Sequence, residues 1–276
     1  MDNKIQYKII FSDLDHTLLI ENHIPDFNLE AIKKAREKGV KFVICTGRGF
    51  SIMKHLLEEI GTENAENEYT ICNSGSLIYE NKNQKILYSK EIEFEVLKSL
   101  FEYGKALDIL ITLDSCTGDN YVYNEEKMEK KWKSFKIKHK VVKSIDDLKD
   151  IKIGRIIFSM KYQGDLQKTL NDLKNNKKFE GKISCFTSGN IFLEINSFGV
   201  CKGSALNWIS NYLNIDIKET IAIGDDYNDE SMIKEAGLSC CVKSAQEDIK
   251  KLSKYICEKD YFEGSVKEVI EKFILN

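Results

Sequence analysis

Residues Lys8–Leu19 read KIIFSDLDHTLL, an apolar run that ends in two carboxylates one residue apart and then a threonine. Ile9, Ile10 and Phe11 make the β-branched and aromatic stretch expected of a strand buried on both faces of a parallel sheet. Asp13 and Asp15 then stand just past its carboxyl end, the edge at which open α/β sheets bind ligands. If the backbone stays extended, alternation turns both side chains the same way. Two carboxylates so placed repel unless a cation or a shared proton intervenes, and oxygen donors of this kind favour Mg²⁺. Taken alone, the same pattern also fits a solvated turn, so the surrounding chain decides.

Working outward, Asn28 is placed to cap a helix running to about Lys38, with Gly39 ending it. Val40–Cys45 (VKFVIC) reads as a second buried strand ending in Thr46-Gly47-Arg48-Gly49, and Ser51–Ile60 as the next helix. Tyr69–Cys72 is a third strand, followed by Asn73-Ser74-Gly75. Leu77–Tyr79 and Lys85–Tyr88 read as a hairpin around Asn81-Lys82-Asn83. Beyond about Glu91 the rhythm changes. Helices at Phe94–Leu107 and Asp165–Leu173, a Lys/Glu-rich helical stretch at Glu125–Phe135, and strands near Ile109–Leu113, Tyr121–Tyr123 and Arg155–Met160 carry no further carboxylate pair or Gly-rich loop. After Ile191–Ile195 the first rhythm returns. Gly199-Val200-Cys201-Lys202-Gly203 opens a helix, and the strand Thr220–Ile223 ends in Gly224-Asp225-Asp226-Tyr227-Asn228-Asp229. The expected organisation is a discontinuous core, residues 1–82 and 190–276, with an inserted module, 83–189, hinged near Asn83 and Gly189-Asn190.

Composition narrows the function classes. With 276 residues, 42% hydrophobic and 31% charged, the chain is an ordinary globular one of one or two domains. A formal net charge of −3 supplies no basic field for nucleic acid or an anionic membrane. Among its basic residues only Arg36, Arg48 and Arg155 are arginines. The eight cysteines show no Cys-x-x-Cys spacing, several lie in apolar runs, and no secretory leader or long apolar span is evident, so a reduced, cytoplasmic protein is expected. His16, His23, His55 and His139 are scattered without metal-binding spacing.

Four strand-end signals therefore stand in order: Asp13/Asp15/Thr17, Thr46, Lys202 and Asp225/Asn228/Asp229. Together they offer a carboxylate nucleophile, a second carboxylate for proton transfer, a hydroxyl and an ammonium for an anion, and acids for a metal. That set suits phosphoryl transfer, because a carboxylate attacks a phosphate dianion only when charge is neutralised. The ordered motifs DLDHT, TGR, NSG, GVCKG and GDDYND resemble the haloacid dehalogenase superfamily, specifically its Cof-type phosphatases with a type IIB α/β cap inserted in a Rossmann-like three-layer core with a mostly parallel sheet. The resemblance covers nearly the whole chain. It implies that Asp13 is the nucleophile and Asp15 the general acid and base. It implies that Asp13, Asp225 and the backbone carbonyl of Asp15 bind Mg²⁺, while Asp229 orients Lys202 and the metal's surroundings. Thr46, Gly47, Lys202 and Asn228 would hold the phosphate. Arg48 and Asn73 would reach the substrate or the cap hinge, with structural roles open to both.

Two positions depart from the family pattern: His16 stands where glycine is usual, and Val242-Lys243-Ser244-Ala245 replaces a Met-Gly-Asn-Ala-like turn. The implied function is a Mg²⁺-dependent phosphatase of small phosphorylated metabolites, a monomer or weak homodimer with no nucleic-acid or membrane partner. A phosphomutase is the alternative from the same family. A phospho-receiver domain also has strand-end acids and a lysine, but it is about half this length and lacks an acid at the position of Asp15.

Overall fold

The computed structural model describes residues 5–129 and 138–276. Its strands, in chain order, begin with β1 (Ile9–Ser12), β2 (Lys41–Cys45), β3 (Tyr69–Cys72), β4 (Leu77–Glu80) and β5 (Lys85–Ser89). Next come β6 (Leu110–Ser115), β7 (Asn120–Tyr123), β8 (Lys140–Val141), β9 (Ile153–Ser159), β10 (Ile183–Ser188) and β11 (Phe192–Ser197). The last are β12 (Thr220–Gly224), β13 (Leu238–Cys241) and β14 (Tyr255–Ile256). Among the described residues they form an eight-stranded sheet, ordered β14-β13-β12-β1-β2-β3-β4-β5, and a six-stranded one, ordered β10-β11-β9-β6-β7-β8.

β1 is fully buried because both of its faces meet helices. Ile10 packs with Ala31 and Ile32 of helix Asp26–Glu37 and with Val266 and Val269 of helix Ser265–Ile270. Ile9 and Phe11 point the other way, toward Leu206 and Ile209 of helix Lys202–Tyr212 and Met232 of helix Glu230–Glu235. Each such side chain contributes about 1.5–3 kcal/mol when removed from water, so the run tolerates no polar residue until Ser12. β1 pairs in parallel with β2 on one side and β12 on the other. The chain proceeds outward from β1 to β3, then returns to lay β12 to β14 on the opposite flank. Strand order thus reverses at β1, which opens a crevice at the carboxyl ends of β1 and β12.

The second sheet is antiparallel except where β7 meets β8. Helices Phe94–Ala106 and Gln163–Asn175 cover it, and Leu97, Phe101, Ile111, Phe158, Leu166 and Leu193 fill a separate core.

Several sequence expectations are corrected. The division at 82/83 and 189/190 cuts through hairpins: β5 pairs with β4 in the first sheet, and β11 pairs with β10 and β9 in the second. The residues read as a hinge, Gly189 and Asn190, both have positive φ and form the turn between β10 and β11. By sheet membership the inserted unit begins after Ser89 and ends at Ser197. Asn28 does not cap its helix, which starts at Asp26 after Pro25. Instead it is buried, donating to the Leu18 carbonyl at 3.4 Å and accepting from Lys267 N–H at 3.1 Å. Of the helical stretch expected at Glu125–Phe135, Glu125–Lys127 is a 3₁₀ turn, and residues 130–137 lie outside the described residues. No helix among the described residues is long and apolar enough to cross a membrane.

Candidate active site

Lys202 begins helix Lys202–Tyr212 and is completely buried, its Nζ 2.6 Å from Asp13 Oδ1 and 2.6 Å from Asp229 Oδ1. The helix is started by Cys201, whose N–H donates to Ser204 Oγ at 3.0 Å while its Sγ accepts from Ser204 N–H at 3.4 Å. Two glycines let it pack this deep. A Cβ on Gly203 would lie 2.5 Å from the Ser231 carbonyl oxygen, and one on Gly75, at φ +100°, would lie 2.2 Å from that of Cys201. Asp229 accepts from Asp225 N–H at 2.9 Å and Asp226 N–H at 3.2 Å through its other oxygen, bending the loop after β12 around itself. Asp225 Oδ1 accepts from Thr17 Oγ1 at 2.6 Å, tying that loop to the one after β1.

Carboxylate oxygens of Asp13, Asp225 and Asp229 all lie within 4.8 Å of one another. One ammonium does not neutralise three clustered acids, two of them buried. The Asp13 carboxyl is pushed up to about 8, chiefly by burial and also by the charges of Asp229 and Asp15, against the opposing pull of Lys202. Asp225 is driven well above the carboxylate range by burial and by the charges of Asp13 and Asp229. Burial pulls Lys202 down, but Asp13 and Asp229 outweigh it and keep the ammonium charged.

The cluster fits a hard divalent cation. Lys202 and the backbone N–H groups engage both oxygens of Asp229, and Lys202 and Thr17 take Oδ1 of Asp13 and of Asp225. Oδ2 of Asp13 and of Asp225 take no part in these contacts, and the buried Oδ1 of Asn228 has no hydrogen-bond partner among the described residues. These hard oxygens match Mg²⁺.

Asp15 does not stand beside Asp13 as an extended backbone would place it. The chain turns at Leu14, whose side chain enters the core and whose carbonyl accepts from Leu18 N–H at 2.9 Å. The Asp15 carboxylate is half exposed and gripped by Arg48, Nε donating to Oδ2 at 2.8 Å and Nη2 to Oδ1 at 2.6 Å. Its carboxylate is therefore not among the clustered acids; Asp229 takes that place. His16 occupies the left-handed region, φ +58°, which explains why glycine suits this position, and its ring meets Tyr261 edge-on at 5.4 Å.

Thr46 is buried, and its Oγ1 accepts from Arg48 N–H at 3.0 Å. Asn73 faces the second sheet, its Oδ1 accepting from Arg155 Nη2 at 3.2 Å. Asp226 likewise looks outward, accepting from Tyr227 N–H at 2.8 Å and from Gly189 N–H at 3.1 Å. Sequence reasoning passed over Arg155, Asp114 and Glu194, a buried ion cluster next to the Thr46–Arg48 loop. Its available signal was charge inside apolar strands, as in GRIIF and IFLEI, rather than at strand ends.

A sequence model of the haloacid dehalogenase-like hydrolases matches residues 10–270. A Bacillus subtilis 5-amino-6-(5-phospho-D-ribitylamino)uracil phosphatase is 27% identical over 270 residues, covering 96% of this chain and 95% of its own. A phosphoglycolate phosphatase of Methanobrevibacter smithii is 28% identical over 247 residues, covering 90% and 89%. The solved structure of a sugar phosphatase of haloacid dehalogenase subclass IIB superposes with a TM-score of 0.82 at 20% identity, covering 96% of this chain and 98% of that one.

Proposed function

The chain belongs to the haloacid dehalogenase-like hydrolases, and we propose that it is a Mg²⁺-dependent phosphatase of small phosphorylated metabolites, sugar phosphates or similar, working through an aspartyl-phosphate. One observation carries the reading: Asp13, at the tip of the central strand, has one carboxylate oxygen held by the buried Lys202, which is braced in turn by Asp229. Lys202 fixes the carboxylate at the crevice, where one of its oxygens would attack phosphorus while the other faces the cation.

In the first step Asp13 forms the bond to phosphorus as the bond to the leaving alcohol breaks, and Asp15 gives its proton to the departing oxygen. In the second step Asp15 removes a proton from water as that water attacks the aspartyl-phosphate, which releases phosphate and restores Asp13. Both tasks require Asp15 to turn from Arg48, which takes both of its oxygens here, toward the substrate. Lys202, Thr46, Gly47 and Asn228 bind the phosphate oxygens. Asp13, Asp225 and the Asp15 carbonyl would hold Mg²⁺, which supplies charge neutralisation between nucleophile and phosphate. The relatives' named substrates, a phosphorylated ribityl compound and phosphoglycolate, support a small phosphate ester, and the eight free thiols support a cytoplasmic setting.

The test is phosphate release across a panel of metabolite phosphates with Mg²⁺, alongside Asp13→Asn. Release from a subset of small esters by the parent alone is expected. No release from any phosphate monoester would overturn the proposal.

A further inference from the structure

A second buried charge cluster lies where the two sheets meet. Arg155 on β9 is 3% exposed, and its guanidinium is engaged at every nitrogen. Nε donates to Asp114 Oδ2 at 2.7 Å, Nη1 to Glu194 Oε2 at 2.9 Å, and Nη2 to Asn73 Oδ1 at 3.2 Å. Nη1 also leaves its own sheet to donate to the carbonyl of Gly47 at 2.5 Å. Glu194 is held in place by Ser188 Oγ at 2.6 Å and by Ser74 Oγ, from the first sheet's loop, at 2.5 Å. The fit is close on the Gly47 side, where an added Cβ would lie 3.2 Å from Glu194 Oε1.

The Gly47 carbonyl is one end of a peptide unit whose other end is the Arg48 N–H, and that N–H donates to Thr46 Oγ1 at 3.0 Å. Peptide units are planar and stiff, so a guanidinium that fixes the carbonyl also aims the N–H. With the N–H occupying one lone pair of the Thr46 hydroxyl, the hydroxyl proton is left to donate. We propose that Arg155 is a positioning residue for the phosphate loop: from the second sheet it sets the Gly47–Arg48 peptide and, through it, the Thr46 hydroxyl. The loop is then competent only when the inserted unit is seated. This rests on the reading that Thr46 meets the substrate's phosphate.

A cluster that only cements the sheet junction would act independently of Thr46, and a double-mutant cycle separates the two cases. With p-nitrophenyl phosphate and Mg²⁺, Arg155→Met is expected to lower kcat/KM by about 10²-fold in the parent, the scale of a small misplacement. In a Thr46→Val background the same change should cost less than about threefold. Hydrogen exchange read at the Arg48 amide should accelerate in Arg155→Met by a larger factor than at the β1 amides, which report the loss of overall stability. Equal losses in both backgrounds, or an Arg48 amide as slow as in the parent, would overturn the proposal. If Arg155→Met fails to fold, Arg155→Met/Asp114→Asn/Glu194→Gln removes the unpaired buried charges, and the same two measurements are read on it. Exchange needs no turnover. A parent that releases no phosphate would therefore sink the proposed function and leave the hold of Arg155 on the loop to be decided by exchange alone.

Discussion

The protein contains two buried charge clusters about one loop apart, and they differ in how completely their atoms are satisfied. Around Arg155 one guanidinium meets two carboxylates, and serines, a glycine carbonyl and an asparagine take up the remaining hydrogen-bonding groups. Around Lys202 one ammonium pairs with two acids while a third lies beside them, the Asp13 carboxyl is pushed far above its ordinary range, and an asparagine oxygen is buried without a partner among the described residues. The first arrangement gives each nitrogen of its cation and each of its carboxylates a partner. The second holds excess negative charge that only an added cation or proton relieves, and such incompleteness marks a site that binds something.

Substitution at Asp13 should give the largest contrast between the clusters. Asp13→Asn is expected to lower turnover by on the order of 10⁴-fold or more, as loss of a covalent nucleophile does, without lowering the melting temperature, because it removes a buried anion. Steady-state assays and thermal unfolding check both halves, and retention of a tenth of parental turnover would reject the nucleophile. Next comes Asp15→Asn, expected to cost about 10²–10⁴-fold on alkyl phosphates. An aryl phosphate needs little help from an acid, so a burst of aryl alcohol followed by slow hydrolysis should be seen in rapid mixing. Equal losses on both ester classes, with no burst, would count against a separate proton-transfer role.

At the other cluster the effect should be on stability as well. Arg155→Met leaves Asp114 and Glu194 buried without a counter-charge and is expected to cost about 3–5 kcal/mol, measured by denaturant unfolding. The neutral triple variant should recover most of it.

The smallest expected effect is on pH. A carboxyl raised from 3.8 to about 8, as Asp13 is, binds more protons folded than unfolded between those values. Metal-free stability should therefore be greatest below the ordinary carboxyl range and fall as pH rises toward 8. Mg²⁺ competes with that proton, so the stabilisation it gives should be larger at pH 8 than at pH 5.5, reaching about 2–3 kcal/mol near saturation. A Mg²⁺-induced thermal shift that is independent of pH would contradict the account of the acidic cluster.

Much of the first cluster was legible in the sequence because parallel strands advertise their ends: KIIF, VKFVIC and TIAI are predominantly apolar, and the polar residues that follow them converge on one sheet edge. The fate of Asp15 was not legible. Alternation holds only while the chain is extended, and the turn that begins at Leu14, whose carbonyl accepts from Leu18 N–H, ends it before Asp15. Sheet membership at the junctions was hidden for a related reason, since β5 and β11 are placed by their hairpin partners rather than by any composition change at 83 or 190. The Arg155 cluster escaped because its three members lie 41 and 39 residues apart along the chain, within strands whose pairing had to be known first.

The central claim is that phosphoryl groups pass through the carboxylate of Asp13. The direct measurement is to mix Asp15→Asn with an aryl phosphate and Mg²⁺, quench in acid during the burst, and locate the added phosphoryl mass by peptide mass spectrometry. Borohydride reduction would mark the acyl-phosphate carbon. The phosphoryl group is expected on Asp13 in proportion to the aryl alcohol released. A burst with no labelled protein, or a label on any other residue, would contradict the account.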